Sequence, residues 1–242
     1  MNFNVSPNII LEENTSWGNP DYAVIRSLLY MVDTSMKTAL DCSCFSTKKC
    51  FVRNKEGIPL CTKAGDDHII YLSAKDNYWC QWVYQFAHEY CHHLIDGLLS
   101  GEWSSMLWFE ETICELSSLY NLNRMIGFCM TNDLQGYAPS VDVYLKNLLK
   151  KNKDIFCLSV EGGWYKQFED SLKVKQYHRD LYNAIAVMMY PLFIHNPNLW
   201  KIILNIGDIR SWSSLEELFG YLQSKADVSY SASLKRMQKM FS

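Results

Sequence analysis

The chain contains no uninterrupted apolar run of the ~18 residues that a transmembrane helix requires, so nothing in it is expected to span a membrane. It also lacks an excess of either charge. Its 23 Lys and Arg against 26 Asp and Glu leave a net charge of −3, which gives no electrostatic case for nucleic acid or an anionic lipid surface as partner. The one basic cluster, Lys146, Lys150, Lys151 and Lys153, reads as a solvated helix end. No internal repeat or low-complexity stretch stands out, and no basic segment runs into a long apolar core near Met1, so no secretory leader is expected. Paired Cys-x-x-Cys spacing is missing too, which argues against a second zinc site built from Cys42, Cys44, Cys50 and Cys61. The odd total of nine cysteines reads as mostly free thiols in a reducing, cytoplasmic setting.

What is present is a core-forming composition, 48% hydrophobic over 242 residues. Residues 1–18 read as irregular or partly extended. Asn19-Pro20-Asp21 starts a helix expected to reach Leu40, with Val24, Ile25, Leu28, Leu29, Val32 and Met36 at core spacing. Cys50–Arg53 and Ile58–Lys63 are expected to pair as a hairpin through Asn54-Lys55-Glu56-Gly57, and His68–Ser73 reads as a further strand after the turn at Gly65-Asp66-Asp67.

The next segment, Asn77 to about Leu99, carries a helical stripe of Val83, Ala87, Tyr90, Leu94 and Leu98, and within it lies His88-Glu89-Tyr90-Cys91-His92. Residues four apart on a helix stand one above the other, so His88 and His92 can offer two imidazoles to one ion with Glu89 flanking them. A catalytic zinc site normally takes three protein ligands and leaves a position open. After 18 residues, room for a loop through Gly101–Ser105 and a returning helix, Trp108-Phe109-Glu110-Glu111 supplies Glu111 as the third ligand. Glu115 falls one turn later, where it can accept a hydrogen bond from a ligand histidine's free N–H and fix its tautomer. Cys114, Ser117 and Ser118 are small enough for the two helices to approach closely. The competing reading is a solvated acidic face near a helix start beside ordinary, partly buried histidines.

These residues resemble the gluzincin group of zinc metallopeptidases, thermolysin-like and aminopeptidase-N-like, in the His-Glu-x-x-His pair, the 18-residue gap, Glu111 and the aromatic-led Trp-x-x-Glu segment. The resemblance covers residues 86–115 and the strand before them. It implies His88, His92 and Glu111 as ligands of a Zn2+ ion, Glu89 as general base, Glu115 in support, and a peptide or protein substrate. The thermolysin-like pattern has Asp where Glu115 stands, and there is no Gly-x-Met-x-Asn exopeptidase motif. Metzincin spacing is excluded, because Ile95 and Leu98 stand where Gly and His are needed. Related enzymes stabilise the oxyanion with a Tyr or His from a later helix. Here His178 and Tyr182, four apart at the start of a helix with a Leu181, Ile185, Met188, Leu192 stripe, could do so or could be an ordinary polar face, with Tyr190 and His195 as weaker candidates.

Asp142–Lys151 is also expected to be helical, Gly162-Gly163 to turn, Ser213–Glu216 to cap an amphipathic helix, and Ser231–Met240 to form the last one. The expected architecture is α+β and mainly helical, a zincin-like fold in one domain over 1–242. A small mixed sheet of three or more strands in the N-terminal half covers the metal helix, and the part from about residue 123 is helical. Two alternatives stay open: a catalytically silent zincin-like binding module, and a zinc hydrolase of a non-peptide substrate.

Overall fold

A computed structural model of the chain describes residues 2–41, 48–96, 104–156, 164–174, 178–207 and 212–242. The expectations for Cys42, Cys44, Leu98, the loop at residues 101–103 and Gly162-Gly163 lie outside them. The fold is α+β and mainly helical, with a mixed five-stranded sheet in the N-terminal half.

Period-two alternation builds the sheet. β1 (Asn2–Ser6) and β2 (Ile9–Glu12) form an antiparallel hairpin in the stretch expected to be irregular or partly extended, and Ile9 and Leu11 point into the core. β3 (Cys50–Asn54) buries Cys50 and Val52, and β5 (Asp67–Leu72) buries His68, Ile70 and Leu72. Sheet order is β1-β2-β3-β5-β4, with β4 (Leu60–Ala64) at one end. The expected β3–β4 hairpin is therefore wrong. The tight turn at Gly65, where φ is +65° and glycine is at ease, folds β4 back antiparallel on β5, and β5 inserts parallel beside β3.

Helix α1 (Tyr22–Leu40) starts two residues later than expected. Asp21, not Asn19, is the cap, its carboxylate accepting from the Ala23 and Val24 N–H groups. Ile25, Leu28, Leu29, Val32 and Met36 are buried as the spacing predicts. α2 (Trp79–Ile95) ends at Asp96, whose left-handed conformation (φ 52°) closes the helix. α2 packs against β4 and β5 on one side and α1 and α3 on others. Two contacts fix its height: Gln85 Oε1 accepts from the Ser73 and Ala74 N–H groups, and the Tyr90 hydroxyl donates to buried Asp33 of α1 at 2.6 Å.

α3 (Leu107–Thr131) is buried on nearly every face and is surrounded by α1, α2, α4 (Ala138–Phe156) and α6 (Arg179–His195). α5 (Trp164–Val174), a 3-10 segment (Pro197–Asn205), α7 (Leu215–Lys225) and α8 (Ser231–Lys239) complete the chain. The cap of α7 sits one residue later than expected: Ser214 accepts from the Glu217 N–H, and Glu217 reaches back to the Ser213 N–H. No described helix is long and apolar enough to cross a membrane.

Candidate metal centre

The pairing of α2 with α3 is set by two buried hydroxyls. Ser117 donates to Ala87 O at 2.9 Å and Ser118 to Tyr84 O at 2.7 Å, so small side chains allow close approach and supply bonds that fix the register. That register lays the first turns of α3 beside the last turns of α2. His88, His92 and Glu111 converge there, each offering a ligand atom, all within 4.8 Å of one another.

The distances fit one ion. Metal–ligand bonds of ~2.0–2.1 Å in a tetrahedron put neighbouring ligand atoms roughly 3.3–3.4 Å apart. His88 Nε2 lies 3.3 Å from one Glu111 oxygen and His92 Nε2 lies 3.6 Å from the other. Both imidazoles thus turn Nε2 inward, and both turn Nδ1 toward a further carboxylate. His92 Nδ1 is 2.8 Å from Glu110 Oε1, and His88 Nδ1 is 3.6 Å from Glu115 Oε2. A carboxylate behind a histidine holds the proton on Nδ1 and leaves the Nε2 lone pair for a metal. This group could hold a metal ion.

Glu110 is the residue that the sequence reading missed. It is fully buried, although it was read only as part of an acidic helix start. Its signal was adjacency: His92 needs a backing acceptor, and an acid one step before the proposed ligand is placed to supply it. Glu115 stands behind His88, but at 3.6 Å from Nδ1 it is too far for the expected hydrogen bond.

Compared with known proteins, the chain matches no family model and no curated sequence.

Electrostatics follow from burial among four carboxylates. Desolvation lowers the His92 pKa, but Glu111 and Glu110 outweigh it and raise it to about 9. For His88 the same penalty is outweighed by the neighbouring Glu111, Glu115 and Glu89 carboxylates, and its pKa rises well above the usual range. Burial pushes Glu111 up, yet the His92 and His88 charges and the His88 hydrogen bond win and hold it at about 2. Glu89, 5% exposed, is pushed up by burial, against the pull of His88 and His92 and a hydrogen bond from the Cys61 backbone N–H of β4.

The two imidazoles therefore carry protons that a dication would replace at constant total charge. The metal-free protein should therefore lose stability as pH rises past the ordinary histidine range, while a metal-loaded protein has no such protons to lose. A histidine raised in the folded state stabilises fully below its unfolded pKa near 6.5 and loses that contribution as pH rises through the folded value, here about 9. Metal-free protein should accordingly lose on the order of 3 kcal/mol from His92 between pH 6.5 and 9. Zinc affinity should rise over the same range as fewer protons must leave. Melting curves with and without zinc across that range would show the thermal shift growing with pH; a shift that shrinks would refute the proton competition.

His178 stands at the N-cap of α6 with Nε2 2.8 Å from Ser171 Oγ of α5, and Tyr182 is buried in the hydrophobic core. The residues of α6 that meet the metal helices lie one step round, at Arg179 and Asn183. The Arg179 guanidinium helps hold Glu111 down, and the Asn183 amide reaches Glu115.

Proposed function

We propose that this chain is a zinc-dependent peptidase with a zincin-like arrangement, in which Glu89 is the general base. The observation that carries the reading is the position of Glu89, buried next to His88 on α2, where His88, His92, Glu111 and the Cys61 backbone of the strand at the open end of the sheet all bear on its proton affinity. Zinc bound by His88, His92 and Glu111 would supply Lewis acidity, lowering the pKa of a coordinated water toward ~7 and polarising a carbonyl. Glu89 takes the proton of the attacking water and hands it to the leaving amine. Its raised pKa suits this, since a base that holds its proton more tightly removes it more readily near neutral pH.

β4 favours a peptide over a compact substrate. Among the described residues no strand pairs with its outer side. In an antiparallel ladder every second residue turns its N–H and C=O away from its neighbour, and Cys61, whose N–H bears on the Glu89 proton, is one of these. An extended chain laid along β4 would run past Glu89 by strand addition. A silent module is disfavoured because burying a carboxylate costs free energy and a purely structural ion has no use for Glu89.

The test is cleavage of an extended-peptide library by zinc-loaded protein, with a chelator abolishing the activity and zinc restoring it. Intact peptides with a full complement of zinc would sink the proposal.

A further inference from the structure

His88 is the less firmly backed of the two imidazoles: at 3.6 Å from Nδ1, Glu115 acts on it only if its carboxylate is held in place. Two donors from two helices hold it. Tyr84, one turn before His88 on α2, gives its hydroxyl proton to Glu115 Oε1. Asn183 arrives from α6. With its nitrogen facing them, its amide donates to Arg179 O at 3.1 Å and to both Glu115 oxygens at 3.3 Å; the reverse orientation would press its carbonyl oxygen against three acceptors. Glu115 itself is 1% exposed, so without these donors its charge would have little compensation from solvent. Burial and the Glu115 charge push the Tyr84 pKa well above the usual tyrosine range, which keeps the hydroxyl a donor.

We propose that Tyr84 and Asn183 are positioning residues of the metal centre, locking the Glu115 carboxylate so that Oε2 keeps the proton on His88 Nδ1 and frees Nε2 for the ion. This rests on reading His88, His92 and Glu111 as a zinc site. It gives α6 a place in that site without a ligand of its own, and it makes Glu115 the hub through which both residues act.

The test is the zinc dissociation constant of the full chain by chelator competition, with the cobalt-substituted spectrum as a second readout. Asn183→Leu and Tyr84→Phe should each weaken zinc binding about 10- to 100-fold and shift the cobalt bands. In a Glu115→Ala background, adding Asn183→Leu should cost less than about twofold, because the hub is gone. Tyr84→Phe keeps the ring and its packing, so it reports on the hydroxyl alone. Single variants that bind zinc within twofold of wild type would overturn the assignment, as would an Asn183→Leu loss undiminished by Glu115→Ala. Wild type that binds no zinc would overturn the metal reading and this assignment together. Wild type that binds zinc but cleaves no peptide overturns only the hydrolase reading, and the zinc constants still decide this one.

Discussion

Glu89→Gln should keep its zinc and lose its turnover, with kcat falling ~10²- to 10⁴-fold, the usual contribution of a positioned general base. Glutamine preserves the length and shape of the side chain, and its carbonyl oxygen can still accept from the Cys61 N–H. What it cannot do is take a proton from water. The ligands are other residues, so zinc content should stay near one per chain and KM should change little, the signature of an interaction made only in the transition state. Metal analysis and steady-state kinetics on one preparation separate the outcomes. Undiminished turnover in a zinc-replete variant would remove Glu89 from the mechanism.

Glu111→Ala should behave in the opposite way, losing the metal first. Zinc sites with four protein ligands bind with ~10–16 kcal/mol at neutral pH, so one ligand averages roughly 3–4 kcal/mol, or two to three powers of ten in affinity. Glu111 also contacts both imidazoles, at 3.3 and 3.6 Å, and its removal takes away much of what raises their pKa values. The metal-free variant should therefore show a flatter dependence of stability on pH above 6.5 than the metal-free wild type. Elemental analysis after dialysis, with His88→Ala as reference, measures the first effect. Zinc retained as in wild type would exclude Glu111 as a ligand.

The site was legible where it depends on local periodicity. His88 and His92 on one helix, Glu111 after a loop and a return, and small residues between the helices follow from spacing alone, and the structure brings them together. Glu110 was not legible, because an acid at a helix start is favoured whether solvated or buried, and only the approach of His92 distinguishes the two. The face of α6 was misjudged for a related reason. That helix is apolar on more than one side, and its buried stripe is Tyr182, Ile185, Ala186, Met189 and Phe193 rather than the expected Leu181, Ile185, Met188 and Leu192. The rotation carries Tyr182 into the core and Asn183 toward Glu115. In the sheet, Asn54–Gly57 is as good a turn signal as Gly65-Asp66. Parallel pairing of β3 with β5 leaves no local mark, so tertiary contact decides which turn makes the hairpin.

The two ends of the sheet are treated unequally. At β1 the register shifts between Asn4 and Ser6, and Arg26 of α1 donates to Asn4 O at 2.9 Å, so that border is both bent and occupied. At β4 the ladder keeps its register from Leu60 to Ala64, and Lys63 is the strand's single charged residue. An unguarded border is where copies of a protein stick to one another, and chains normally evolve to blunt it. Here that hazard is blunted on the border away from Glu89 and tolerated on the border beside it, so solubility is risked only where a visiting chain would gain a place to lie.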